Sequence, residues 1–170
     1  GLLTVEGSFT LTEFEVTDAQ FGAGASGLAL ALTASATAPG AGVSGTLQLV
    51  RVTGAAGQSW LGVEATYLTF DLAFGPLTMA VTNGSLLVNQ SPLGQSKVDW
   101  ESVTGLPASI TFSTAPDWAN TSLEVSGSAA IDVVGLLTVE GSFTLTQFEV
   151  TDAQFGAGAS GLALALTASA

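Results

Sequence analysis

Apolar residues and glycines alternate with mostly polar residues along one uninterrupted run of the sequence, from 123 to 145. Side chains that recur with a period of two lie on one face of an extended strand, and no segment of the chain shows a convincing helical stripe of period 3.6. We therefore predict an all-β fold. The predicted core face of this run comprises Leu123, Val125, Ile131, Val133, Leu137, Val139, Phe143 and Leu145.

This run is much longer than an ordinary strand of about 5 or 6 residues. Glycine inside a strand marks a bend, a bulge or a close backbone approach, and the apolar side of the run contains Gly127, Gly135 and Gly141. Two interpretations follow. The run forms either one long twisted strand or consecutive strands of a solenoid that turn at these glycines, and both give an elongated object.

Shorter sequence patterns predict local structure in the middle of the chain. Asn83-Gly84 is the strongest two-residue hairpin signal in the sequence. A switch of apolar parity near Tyr67 predicts either a bulge or a strand that is buried on both faces. Residues 91–120 contain three prolines and two tryptophans, and we predict an irregular segment there with one short strand at 110–112.

The sequence also repeats itself. Residues 135–170 copy residues 1–36 with a single change, Glu13 to Gln147, at an offset of 135 − 1 = 134 residues. We therefore predict that 1–134 is one full repeat unit and that 135–170 is the start of the next, with no linker between them. The predicted architecture is an elongated tandem-repeat array of long strands, fibrous rather than compact. Its strands form either a β-solenoid-like stack or a continuous antiparallel sheet or sandwich.

Composition excludes several classes of function. The chain has no cysteine and no histidine, so it offers no disulfide, thiolate, imidazole base or histidine metal ligand. Two basic residues against fourteen acidic ones give a formal net charge of −12, which would repel nucleic acid. The sequence has no apolar stretch of about 18 residues, the length that a membrane-spanning helix needs. We expect no nucleic-acid partner and no membrane insertion.

Acidic residues are the only candidates for catalysis or metal binding. Paired carboxylates can hydrolyse glycosides, but the second copy replaces Glu13 by Gln147, so we predict no enzyme activity and no catalytic cofactor. Calcium prefers oxygen ligands, although no calcium-loop motif is present. The weak candidate ligands for calcium, at a junction between units, are Glu15, Asp18, Glu149 and Asp152.

Several phrases of the sequence resemble repeats of very large tandem-repeat proteins of Gram-negative bacteria, some of which carry an LEPR-XLL segment. The phrases are ASGLALALTA, SWLGVEATYLTF, LTMAVTNGSLLVNQ and LEVSGSAAIDVVGLLTVEGSFTLT. The resemblance spans most of the 134-residue unit. It implies an exported, acidic, cysteine-free giant chain that acts as an adhesin, biofilm matrix or surface filament. It carries no catalytic residue to this chain.

We therefore expect a structural repeat of an extracellular bacterial filament or giant surface adhesin, which supplies length, stiffness and surface coverage. Its expected partners are neighbouring copies of the same repeat, and surface glycans or other cells. One alternative is a carbohydrate-binding module that uses Trp60, Trp100 and Trp118, although core positions for these rings are the competing interpretation. The other alternative is a non-covalently polymerising fibre subunit that donates residues 135–170 as a strand to its neighbour.

Overall fold

Eight strands form a single open sheet in a computed structural model, which describes residues 3–114, 116–134, 137–150, 154 and 159–169. Each strand pairs antiparallel with the next strand along the chain. The strands are β1 (Thr4–Glu15), β2 (Ser26–Ala38), β3 (Ala41–Thr53), β4 (Ser59–Phe74), β5 (Leu77–Gln90), β6 (Thr121–Val133), β7 (Leu137–Glu149) and β8 (Ser160–Ser169). A 3-10 turn, Ala19–Phe21, follows β1. Within the described ranges there is no α-helix, so the all-β prediction is confirmed.

The alternating run forms a hairpin. β6 and β7 pair antiparallel, with Ile131 opposite Val139 and Val133 opposite Leu137. The chain reverses between Val133 and Leu137, and Gly135, one of the three predicted turn positions, lies outside the described residues. The chain passes Gly127 and Gly141 without turning. The described strands therefore form a continuous antiparallel sheet, neither one very long strand nor a solenoid.

Two β-bulges interrupt the central strands. One of them lies at Asn83-Gly84, where a hairpin was predicted, so that prediction was wrong. Asn83 lies inside β5 with a φ of 51°, and one extra residue of β5 interrupts its register with both neighbouring strands. Gly84 permits a close approach instead of a turn, because a Cβ there would lie 2.9 Å from the Cβ of Leu68. The second bulge, at Tyr67 in β4 with a φ of 54°, confirms the predicted parity switch.

The bulges keep large apolar side chains on one side of the sheet, here called the apolar face, which includes Leu30, Leu47, Val63, Leu86 and Val125. These residues lie on one face of successive strands, as the pairing registers show. The other side, the loop face, is partly covered by residues 91–120. This segment contains no strand among its described residues, so the strand predicted at 110–112 is wrong.

The buried core lies on the loop face and not on the face that the alternation predicts. Its members are Val16, Phe21, Ala25, Ala29, Val50, Val52, Trp60, Leu87, Val98, Trp100, Val103, Ile110, Phe112 and Trp118. The eight residues predicted as a core face belong to the apolar face, and none of them is in this core. Ile131 and Leu137 are 39% and 53% exposed. The alternation identifies residues that share a face, but the packing of residues 91–120 determines which face is covered.

Candidate functional site

The three tryptophans lie at the centre of the core. Trp100, Trp118 and Trp60 are 0%, 1% and 6% exposed. They pack with Phe21 and Phe112 in an aromatic chain whose neighbouring ring centroids are 5.0–6.0 Å apart. Trp100 can lie close against the sheet because Gly62 has no side chain: a Cβ there would be 2.6 Å from the indole. None of the three rings offers the exposed face that stacking on a sugar requires.

Asn89 at the end of β5 connects this aromatic core to the sheet. Its side chain is fully buried, and its Nδ2 donates to the carbonyl oxygens of Val98 at 2.8 Å and Trp118 at 2.5 Å. Its Oδ1 accepts a hydrogen bond of 3.0 Å from Nε1 of Trp100. Lys97 donates to the backbone carbonyl of Asn89 at 2.8 Å. One amide side chain therefore satisfies three buried polar groups of residues 91–120, here called the covering segment.

Two polar side chains of the loop face hold residues 111–113 above the sheet. Gln48 donates through Nε2 to the carbonyl of Thr111 at 2.9 Å and accepts from its backbone N–H at 2.5 Å. Glu64 accepts from the backbone N–H of Ser113 at 3.0 Å and from its hydroxyl. Burial raises the pKa of Glu64 above 4.5, and the Ser113 backbone hydrogen bond offsets part of that rise.

Of the predicted calcium ligands, the structure describes Glu15, Asp18 and Glu149 and places these three in no shared group. Glu15 and Glu149 are exposed at the ends of β1 and β7, and Asp152 lies outside the described residues. Asp18 caps the 3-10 turn, accepting from the N–H of Gln20 at 3.1 Å and from that of Thr104 at 3.2 Å. Burial acts to raise the pKa of Asp18, but these hydrogen bonds outweigh it and lower the pKa. The described part of the chain holds no group of three or more acidic residues placed to share a metal ion.

The apolar face is a broad surface that the described chain leaves unpartnered. Exposure is greatest on the two edge strands, where Phe9 of β1 and Leu166 of β8 are 72% and 69% exposed. In the central strands neighbouring side chains shield one another, but no described segment lies over them. The other exposed large apolar residues of this face are Val5, Leu11, Leu28, Val43, Phe70, Ile131, Leu137, Leu162 and Leu164.

A shallow groove crosses the apolar face over β1 to β4. Its floor is formed by small residues in register, Gly7 opposite Ala34 and Ala34 opposite Gly45. Leu68 packs over Gly45, and a Cβ at that glycine would lie 2.6 Å from its Cδ2. The groove encloses about 330 Å³ and its walls include Val5, Leu32, Val43 and Leu47. Its lining is almost entirely apolar, so the groove is suited to accept apolar side chains.

Charged residues of the strands are segregated between the two faces. On the apolar face they lie at one end of the sheet and comprise Glu13, Glu15, Arg51 and Glu149. On the loop face they comprise Glu6, Glu64, Asp71, Glu124, Asp132 and Glu140. The middle and the opposite end of the apolar face therefore carry no charge. This face can bury another apolar surface, but it provides no acid, base or nucleophile there.

The copied segments form the same hairpin twice. Phe9 lies opposite Leu32 in the β1–β2 pair, and Phe143 lies opposite Leu166 at the equivalent place in the β7–β8 pair. The ring of Phe14 covers Gly27 in the first copy, just as the ring of Phe148 covers Gly161 in the second. β7 pairs with β6 along almost its whole length, from Leu137 to Phe148. The second copy thus adds strands to the sheet of the first.

Comparison with known proteins gives no relative: no protein-family model matches the sequence, and neither a curated protein nor a solved structure matches the chain. Among the described residues, no helix has the length and apolar character of a membrane span.

Proposed function

We propose that this chain is a structural repeat of an extracellular bacterial filament or giant surface adhesin, in which it supplies length, stiffness and surface coverage. The observation that carries the proposal is the boundary between the copies. β6 of the first copy pairs with β7 of the second, and the β7–β8 pair has the register of the β1–β2 pair. A further copy could extend the same sheet from β8 by repeating this arrangement.

The proposed array is a ribbon whose strands run across its long axis. Each unit of 134 residues contributes six strands, β1 to β6, before the sequence starts again. At a spacing of about 4.8 Å between strands, one unit would lengthen the ribbon by roughly 29 Å. A strand of 13 residues, such as β3, gives the ribbon a width of about 43 Å at 3.3 Å per residue.

An open sheet is also consistent with a repeat unit that joins neighbouring units. The outer edges of β1 and β8 present unpaired backbone groups, which recruit further strands. In a covalent array the neighbouring units would occupy both edges, so every internal edge would be protected. The formal net charge of −12 would keep separate arrays from bundling through non-specific contacts at low salt.

The proposal can be tested with lengthened chains. Chains carrying one, two and three additional 134-residue units should grow by a constant increment of about 29 Å per unit in electron micrographs. X-ray diffraction from aligned fibres should place a reflection of about 4.8 Å along the fibre axis, because the strands cross it. A reflection of that spacing perpendicular to the axis, or an irregular increment, would contradict a continuous sheet.

The proposed location requires a separate experiment. Antibodies against residues 91–120, which pack on the loop face, should label intact cells of the source bacterium. Labelling only after the cells are lysed would contradict an extracellular array, whatever the length measurements show.

A further inference from the structure

No segment in the described part of the chain covers the apolar face, although residues 91–120 cover part of the loop face. Residues 91–120 pack on the loop face, where Trp100 and Trp118 are buried. On the opposite side, Phe9, Val43 and Phe70 remain exposed across three different strands. A chain that protects one face with an aromatic core and leaves the other with a continuous apolar surface requires an explanation for that surface.

The size of the face matches a protein partner. Eight strands about 4.8 Å apart, each about 12 residues long, cover roughly 1,500 Å² in plan. A standard stable interface buries about 800 Å² on each partner, so half of this face would suffice. The surface is built on paired strands and is therefore extended and rigid, and a second sheet can pack against such a surface at a distance of about 10 Å.

The charge distribution identifies a second copy as a suitable partner. A protein with a net charge of −12 would ordinarily repel itself. Here, however, acidic residues such as Asp71, Glu124 and Asp132 lie on the loop face, which would point outward on both sheets of a stacked pair. The facing surfaces would meet through their uncharged middle, and the acidic loop faces would stay in water.

The surface shape of the apolar face also allows the faces of two copies to pack against each other. The groove over Gly7, Ala34 and Gly45 lies beside Phe9, whose ring stands exposed on the same face. In a two-fold arrangement the same patch serves both partners, so a projecting ring from one copy can enter the groove of the other. A flat face without such relief would pack less well at the usual density of protein interfaces.

We propose that the apolar face is the docking surface for a second copy of this chain, sheet against sheet, so that two open sheets form one β-sandwich. This goes beyond the proposed array, because it requires only the 170-residue chain and concerns the faces of the sheet, whereas the array is built through its edges. In a longer array, the same contact would join two ribbons along their length.

Sedimentation of the full chain over a range of concentrations tests the pairing. We expect a monomer–dimer equilibrium in which the double substitution Val43→Glu and Phe70→Glu raises the dissociation constant at least about 100-fold, since charges at the centre of an interface are costly. The matched control is Thr37→Glu with Thr78→Glu, which adds the same charge to exposed positions of the loop face. The control should still dimerise. Circular dichroism must show an intact sheet in both variants.

A conservative pair of variants covers the case in which the added charges unfold the chain. The chain has no cysteine, so Val43→Cys and Thr78→Cys each create a unique thiol. We expect the thiol of the Val43→Cys variant to react more slowly with a thiol reagent as the protein concentration rises, while the thiol of the Thr78→Cys variant reacts at a constant rate. A monomer at every concentration, a dimer that survives both glutamate substitutions, or protection of the Val43→Cys thiol by lipid vesicles without self-association would each overturn the proposal.

Discussion

Replacing Asn89 by alanine should release residues 91–120 from the sheet. The side chain of Asn89 is fully buried and provides the donor for the carbonyls of Val98 and Trp118 and the acceptor for Nε1 of Trp100. Alanine can make none of these three hydrogen bonds. All three partners belong to the covering segment, so the loss is concentrated at the place where that segment is attached.

The expected cost follows from the number of groups that lose a partner. A buried polar group left without a hydrogen bond costs about 1 to 3 kcal/mol, which gives about 3 to 9 kcal/mol for the two carbonyls and the indole N–H together. A domain of this size has a total free energy of unfolding of about 5 to 15 kcal/mol. Asn89→Ala should therefore remove a large part of the stability, and Asn89→Asp should be at least as harmful because it adds a buried charge and removes both donors.

Urea unfolding followed by tryptophan fluorescence measures this effect, because all three tryptophans are buried in the core that Asn89 holds. Gln90→Ala is the matched control: it removes an exposed amide at the next position and should change the free energy of unfolding by less than about 0.5 kcal/mol. A loss below about 1 kcal/mol for Asn89→Ala, with unchanged fluorescence, would refute the view that this network attaches the covering segment.

Three further substitutions address the same core. Gly62→Ala would place a Cβ 2.6 Å from Trp100 and should lower the free energy of unfolding by about 1 to 3 kcal/mol in thermal melts; an unchanged melting temperature would contradict this close contact. The raised pKa of Glu64 favours the folded state below pH 4.5, and this contribution is lost as the pH rises through the raised value. Glu64→Gln should therefore flatten the stability profile above pH 4.5, as urea titrations at several pH values will show, and an unaltered profile would exclude Glu64 as the cause. The lowered pKa of Asp18 acts in the opposite sense, because its contribution is present above pH 3.8 and is lost as the pH falls through the lowered value. Asp18→Ala should thus cost about 1 kcal/mol at about pH 7 and much less in strong acid, and an equal loss under both conditions would argue against a role for its charge.

The alternating pattern determines much of the local structure. Backbone stereochemistry places successive side chains of a strand on opposite faces, so a period of two indicates both the strand and the residues that share a face. Val125 and Leu145 therefore lie on one face, and Glu124 on the other. The parity switch at Tyr67 is visible for the same reason, since one extra residue reverses the order of the faces. The copied hairpins have equal registers because equal sequences face equal local constraints.

The apolar face was predicted only in part. Eight residues were correctly grouped by alternation, but the sequence did not show that their face would stay open, because exposure depends on where residues 91–120 pack. The sequence feature that could have predicted the open face is the concentration of aromatic and polar residues on the opposite face, such as Trp60, Asn89 and Gln48. These residues are far apart in sequence, and their common role is visible only once the strands are aligned.

The sequence by itself determines an all-β chain, two sets of residues on opposite faces, and a copy of residues 1–36 at an offset of 134 residues. Only the tertiary structure decides that β6 and β7 reverse into a hairpin, that Asn83-Gly84 is a bulge, and that the tryptophans are buried on the loop face. The physical reason is the range of the interactions. Alternation is a property of each strand alone, whereas pairing direction, bulge position and burial depend on contacts between residues distant along the chain.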